Sequence, residues 1–132
     1  MKVLRLLLVG AVLTGCVITD DGIALNPPGP QVFVCLNAVT DDEAQEMKQD
    51  IADEPFKDDR LNEARRLAKD RCFQSRHVVT VMSAMQFESN KLEIAKFLYL
   101  KTEDQDNYND VVDALTYSSS KEELRDYIDA MS

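Results

Sequence analysis

The sequence predicts an all-α fold of about six short helices, arranged as three stacked helix pairs behind a proline-rich tether. From Thr40 onward the apolar residues recur at three- and four-residue spacing, as one face of an amphipathic helix requires. The chain has no glycine after Gly29, which predicts helices separated by capped polar turns rather than by glycine. A pattern of about 31 residues also recurs three times.

The first 15 residues have the form of a bacterial export signal. Lys2 and Arg5 precede a short apolar run from Leu6 to Leu13, an order typical of a secretory leader. A membrane-spanning helix needs about 20 apolar residues, so this run is too short for a permanent span. We therefore expect residues 1–15 to be removed on export.

The leader ends in Leu13-Thr14-Gly15-Cys16, which resembles the lipobox of bacterial lipoproteins. The small residues give the peptidase access to the backbone, and the cysteine thiol accepts a diacylglyceryl group. The resemblance implies that lipid on Cys16 holds the chain on a membrane. Val17 replaces the aspartate that retains lipoproteins at the inner membrane, which favours the outer membrane and a periplasmic location. The alternative is an ordinary cleaved signal with a chance cysteine.

The charge of the chain restricts its partners. It carries 15 basic and 24 acidic residues, and removal of Lys2 and Arg5 with the leader leaves 13 against 24, a net charge of −11. Nucleic acids and anionic lipid headgroups require clustered Lys and Arg, so we expect no nucleic-acid partner.

Two cysteines remain once Cys16 carries lipid. Cys35 and Cys72 form an even number in an oxidising compartment, which favours a disulfide. Two buried thiols or a metal pair are the alternatives. A metal site has weak support because His77 is the only histidine and there is no CxxC spacing.

Residues 16–39 are predicted to be a tether and a lead-in to the helical domain, which covers residues 40–132. The run Asn26-Pro27-Pro28-Gly29-Pro30 cannot hold a helix and should be extended. Gln31 to Leu36 could form a short strand, but it has no evident pairing partner. We expect it to pack along the helices, held there by Cys35.

Six helices are predicted from the apolar spacing and from capping residues. Thr40-Asp41-Asp42-Glu43 and Ser119-Ser120-Lys121-Glu122 have the form of capping boxes, and Ser75 and Asp106 are expected to be N-caps. The predicted bounds are 40–54, 57–71, 76–87, 89–101, 106–116 and 119–131.

The internal repeat aligns three aromatic residues, Phe56, Phe87 and Tyr117, which are 31 and 30 residues apart. Four residues after each aromatic is a base: Arg60, Lys91 and Lys121. The third unit departs from the others further on, where it uses Leu124, Tyr127 and Ile128. Chance similarity between amphipathic helices is the alternative. A true repeat predicts three helix pairs that bury their apolar faces only when stacked.

Several segments resemble a bacterial domain family of unknown function found at the C-terminal end of exported proteins and lipoproteins. The similar segments are Phe56 to Ala64 continuing to Phe73, Met85 to Lys96, Asp106 to Val112, and Tyr117 to Leu124. The match covers about residues 40–130. The resemblance implies an all-helical repeat domain and identifies no catalytic residue.

The candidate chemical sites each have a simpler structural interpretation. Asp104 to Asp110 suggests a calcium loop, but the glycine and the glutamate of an EF-hand are missing. Asp58, Asp59 and Glu88 offer carboxylates for acid–base chemistry, but acids also favour helix N-termini. His77 has no evident partner, and Ser118 to Ser120 have no nucleophile-elbow context. Met82 and Met85 are expected in the core or in an apolar groove.

These observations predict no catalytic residue and no cofactor. The first hypothesis is a non-enzymatic, lipid-anchored interaction domain with an envelope protein as partner. The second is a binding protein for an apolar small molecule or lipid, with a pocket lined by Met82, Met85, Leu98 and Val112. An enzyme is the third hypothesis, and it would require a convergent cleft of carboxylates with raised pKa values.

Overall fold

A computed structural model describes residues 35–132, and over this range the chain forms six α-helices and no strand. The prediction of an all-α fold is therefore confirmed, whereas Cys16 and the proline-rich run lie outside the described residues. The helices are α1 (Asp41–Ala52), α2 (Lys57–Ala68), α3 (Ser75–Met82), α4 (Glu88–Tyr99), α5 (Asn109–Asp113) and α6 (Ser118–Met131). A 3₁₀ helix, Gln105–Asn107, precedes α5.

The helices form two layers. In one layer α1 packs on α3 and α3 on α5, and in the other α2 packs on α4 and α4 on α6. Each first helix also contacts the second helix of its own unit. This arrangement is the predicted stack of three helix pairs, with α4 at the centre of its layer.

A single apolar core lies between the layers. Ile51, Ile94, Leu98 and Leu124 are each completely buried in it. The second helix α2 contributes only small buried residues, alanines 64 and 68, which let neighbouring helices approach closely. Because one pair alone would leave most of this surface in water, burial couples the three units.

The lead-in is joined to the helices by a short backbone ladder. A parallel bridge pairs Ala38 with Cys72, and a second pairs Phe73 with Thr102. The Val39 N–H donates to the Cys72 carbonyl at 2.9 Å. The Cα atoms of Cys35 and Cys72 lie 6.1 Å apart, a separation within the range that a disulfide spans. We predicted Cys72 at the end of the second helix; it lies instead in this ladder, beyond Ala68 where α2 ends.

The turn after α2 is made without glycine. Asp70 adopts the left-handed conformation with φ of 59°, which aspartate tolerates better than most residues. The Asn37 side-chain amide donates to the Asp70 carbonyl at 3.2 Å, so the lead-in also fixes this turn.

The predicted capping box at α1 is confirmed. The Thr40 hydroxyl accepts the Glu43 N–H at 3.2 Å, and the Glu43 carboxylate accepts the Thr40 N–H at 3.3 Å. These two bonds satisfy backbone donors that a helix start otherwise leaves unpaired.

Three other predicted caps are wrong. The box expected at Ser119 does not form, because α6 begins at Ser118 and Glu88 accepts the N–H groups of the two residues before it, Thr116 and Tyr117. Ser75 is the first residue of α3 and Gln74 occupies the cap position. Asp106 lies inside the 3₁₀ helix, where the predicted helix 106–116 is interrupted.

Candidate interaction surface

Three large aromatic side chains are exposed at the repeat positions. The exposed fraction is 68% for Phe56, 50% for Phe87 and 61% for Tyr117. Aromatic side chains contribute most to stability when buried, so exposure of all three is not explained by folding. They are therefore the candidate binding residues of the described surface.

The three aromatics share one backbone setting. Each is the extended residue immediately before the second helix of its unit, with φ between −112° and −96° and ψ between 136° and 148°. In each unit the aromatic carbonyl accepts the first helical hydrogen bond, at 3.0 to 3.1 Å, from the N–H of the repeated base: Arg60, Lys91 or Lys121. The four-residue offset found in the sequence is thus the geometry of a helix start.

Contacts between units connect the helix starts that carry the aromatics. The Lys57 ammonium lies 5.8 Å from the centre of the Phe87 ring, which connects the start of α2 to the start of α4. The Glu88 carboxylate accepts the Tyr117 N–H at 2.9 Å, which connects the start of α4 to the start of α6. We call Phe56, Phe87 and Tyr117 the aromatic edge.

Glu88 caps the third helix of this edge. Its carboxylate also accepts the Thr116 N–H at 2.7 Å. Desolvation would raise the pKa of Glu88, but the N–H groups of Tyr117 and Thr116, with the Ser120 hydroxyl, bring it below its ordinary value. Glu88 is therefore held as a carboxylate that positions Tyr117, not as a general acid.

Replacing Glu88 with glutamine should lower the free energy of unfolding by about 1 kcal/mol near neutral pH, because the charged cap of α6 is lost. A lowered folded-state pKa stabilises the protein above the unfolded pKa, and this stabilisation disappears as pH falls through the folded value. The difference between the two proteins should therefore shrink below about pH 4. Urea unfolding of both proteins at several pH values measures this difference in the free energy of unfolding.

Exposed Glu46 on α1 provides the matched control. Glu46→Gln should leave stability within about 0.5 kcal/mol at every pH. A Glu88→Gln difference that stays constant under acid conditions would contradict the capping role.

The base of each of the first two units lies beside the C-terminal ends of the first helices. The Arg60 guanidinium donates to the carbonyls of Ala52 at 2.9 Å, Glu54 at 2.8 Å and Ala84 at 3.0 Å, and so ties the ends of α1 and α3 together. In the second unit the base is Lys91, which lines a partly open depression of about 220 Å³ with Val79, Met82, Ser83 and Ala114. We call this depression the notch.

Charged side chains of both signs adjoin the aromatic residues in sequence. Exposed Asp53 follows α1, Asp58 and Asp59 lie in the first turn of α2, and Asp113 ends α5. One of them, Asp58, lies 3.6 Å from the Lys57 ammonium in an exposed ion pair, which contributes little. The bases Lys91 and Lys121 lie equally close to Phe87 and Tyr117 in sequence.

A family model described as a domain of unknown function, DUF4476, matches residues 38–128. The chain belongs to this family. The match covers every helix of the stack except the last three residues of α6. No match was found among curated proteins, and none among solved structures.

The DUF4476 domain uses its buried histidine and Asp104, a residue of the segment rejected as a calcium loop, as structural ties. His77 Nδ1 accepts the Gln74 N–H at 3.2 Å, and Nε2 lies 2.6 Å from the Asp41 carboxylate on α1. The Asp104 carboxylate accepts the Ser75 N–H at 2.7 Å and so caps α3. Each tie joins two units, so the partners Asp41 and Ser75 lie far away in sequence, 36 residues from His77 and 29 from Asp104.

The remaining candidates also have structural positions in the DUF4476 domain. Met82 and Met85 are buried in the core, and the serines from 118 to 120 form the first turn of α6. Within residues 35–132, no group of three His, Cys, Asp or Glu side chains is arranged to hold a metal ion. No helix in that range has the length and apolarity needed to cross a bilayer.

Proposed function

We propose that this chain is a lipid-anchored cell-envelope protein whose DUF4476 domain is a non-enzymatic protein-interaction module that binds through the aromatic edge. The observation that carries the proposal is the exposure of the aromatic residue in all three units. From the exposed fractions, the three rings leave roughly 300–400 Å² of aromatic surface in water. Aromatic side chains are enriched at protein interfaces and among the residues that dominate binding energy.

The carboxyl groups whose pKa values are lowered have structural roles, which supports a non-enzymatic function. The pKa of Glu43 is lowered by hydrogen bonds from Arg71 and Thr40. That of Asp41 is lowered by Arg76 and His77. Asp104 is desolvated, which raises its pKa, but the N–H and hydroxyl of Ser75 and the amide of Asn107 lower it overall. Such groups stay ionised and cap helices, whereas an acid catalyst needs a raised pKa.

A pocket for an apolar ligand has less support. Met82, Met85, Leu98 and Val112, which we expected to line it, are all buried in the packed core. The notch, at about 220 Å³, touches only Met82 of the four. Sites for drug-sized ligands usually measure about 300–1,000 Å³, so the notch suits a single side chain better.

Lipid on Cys16 is the proposed anchor, and the outer membrane, facing the periplasm, is the proposed location. The support is the lipobox, the short leader and Val17. One acyl chain binds a membrane only weakly, whereas two or three hold a protein there. The backbone between Cys16 and Cys35 can extend at most about 65 Å, so the domain would reach partners away from the bilayer surface.

Cys16→Ser should move the chain out of the membrane fraction or leave it as an uncleaved precursor, because no thiol accepts the lipid. Fractionation of host cells, with intact-mass measurement of the extracted chain, tests this. The wild-type chain should begin at Cys16 and carry the mass of acyl groups. An unmodified wild-type cysteine would contradict the anchor.

Photo-crosslinking in living host cells tests the binding surface. Benzoylphenylalanine at position 56 or 87 preserves an aromatic ring, and we expect it to give discrete adducts with one envelope protein. Leu100 is the matched control, because it is 55% exposed and lies just past the opposite end of α4 from Phe87. Adducts only with lipid or small molecules, or equal adducts from position 100, would contradict the proposal.

A further inference from the structure

We infer that the partner presents an extended, basic polypeptide segment in the polyproline II conformation, with an apolar side chain at every third residue lying along the aromatic edge. This inference rests on the proposed interaction function and specifies its partner. Spacing, charge and the notch support it separately.

The spacing of the aromatic edge follows from helix packing. Phe56, Phe87 and Tyr117 each precede a helix of the same layer, and α2, α4 and α6 pack successively. Packed helices lie about 8–10 Å apart, so we expect successive aromatics to recur at about that distance. A polyproline II helix rises about 3.1 Å per residue with three residues per turn, so side chains on one face recur about every 9.3 Å. A β-strand would place residues three apart on opposite faces.

The surface also has the chemistry that binds polyproline II helices. Exposed aromatic rows bind them because this conformation is already extended in the free peptide and loses little entropy on binding. The three aromatic residues are at least half exposed and lie at helix starts, where the Lys57 ammonium contacts the Phe87 ring and Glu88 accepts the Tyr117 backbone N–H. Fixed backbone positions along the row favour a ligand that is itself preorganised.

The charge of the domain favours a basic segment. Residues 35–132 carry 22 acidic side chains, which are the 24 of the chain less Asp20 and Asp21, and 13 basic ones, which are the 15 of the chain less Lys2 and Arg5. Exposed Asp53, Asp59 and Asp113 lie within four residues of an aromatic of the edge and form no salt bridge within residues 35–132. Lys57, Lys91 and Lys121 lie equally close in sequence, so the acidic excess belongs to the domain as a whole. Lys or Arg side chains on the outer faces of the bound segment would therefore meet carboxylates and accelerate association.

The notch provides a place for one apolar anchor. It lies between the second and third units, since Lys91 is one turn after Phe87 and Ala114 is three residues before Tyr117. Val79 and Met82 supply apolar walls. A leucine-sized side chain of the partner would fill it, and a filled central pocket of this kind usually dominates binding energy.

The test uses the lipid-anchored chain in phosphatidylcholine nanodiscs, whose neutral surface does not attract basic peptides. The probe is a fluorescent peptide of four Lys-Pro-Leu repeats, measured by anisotropy against empty nanodiscs. We expect saturable binding, about tenfold weaker for a peptide of the same composition with irregular leucine spacing. A Glu-Pro-Leu version should not bind, and added salt should weaken the basic probe.

Two variants locate the site. Phe87→Ala should weaken binding by about tenfold, and Ala114→Leu, which fills the notch but keeps every ring, should do the same. Leu100→Ala removes a side chain of similar exposure from the other end of α4 and should change binding less than about twofold. Thermal melting of each variant checks that it is folded.

Equal binding of the regular and irregular peptides would overturn the inference, as would unchanged binding by Phe87→Ala or by Ala114→Leu. So would peptide-independent self-association through the edge, measured by sedimentation. Discrete crosslinks from positions 56 and 87 without peptide binding would refute the partner class and leave the interaction function intact. The absence of both the crosslinks and peptide binding would refute the partner class and the interaction function together.

Discussion

Leu98→Ala is expected to lower the free energy of unfolding by about 3 kcal/mol, a large effect for a single substitution. Leu98 is completely buried on α4, the helix that packs against α2, α3 and α6. Truncation loses the transfer free energy of the removed atoms and leaves a cavity between the layers. Urea unfolding followed by circular dichroism measures the loss as a shift of the midpoint at constant slope.

Leu100→Ala is the matched control for this experiment. It makes the same chemical change two residues away, at a position that is 55% exposed. We expect a change within about 0.5 kcal/mol. If the two variants were equally stable, the described core would not hold the units together.

Reduction of the bond between Cys35 and Cys72 is expected to lower the free energy of unfolding by about 4 kcal/mol in the loop-entropy model, given a separation of 37 residues. The lead-in would then be held only by its ladder, in which Val39 bonds to Cys72 and Arg71 donates to the Asn37 carbonyl at 3.2 Å. Urea unfolding with and without dithiothreitol measures the difference.

The Cys35→Ala variant separates the bond from general effects of the reductant. It should unfold near the midpoint of the reduced wild-type chain and show no further response to dithiothreitol. Identical midpoints for oxidised and reduced wild-type protein would contradict the predicted disulfide, as would two free thiols in the exported protein.

The sequence predicted the parts of this fold that depend on residues close together in the chain. The Thr40 capping box spans four residues, and amphipathic spacing spans one or two turns, so both were correct. The repeat was visible because the aromatic carbonyl bonds to the N–H four residues later in each unit. These features need no knowledge of tertiary structure.

The missed features depend on contacts between units. Glu88 caps α6 from 28 and 29 residues away, and Asp104 caps α3 from 29, so the local serines that suggested caps were misleading. His77 meets Asp41 across 36 residues for the same reason. Stacking alone decides which side of each aromatic faces solvent. The repeat therefore identified the edge residues, but their exposure could not be predicted.

The bond between Cys35 and Cys72 also determines how a mechanical load enters the domain. Both helices of the first unit lie inside the covalent loop that it closes. Tension arriving from the N-terminal side passes through the sulfur atoms to Cys72 and then to Phe73, without stretching α1 or α2. The first helix pair is thus shielded from pulling, and the load reaches the middle of the stack directly. In a protein pulled between a membrane and a partner, the second and third pairs would set the force at which the domain opens.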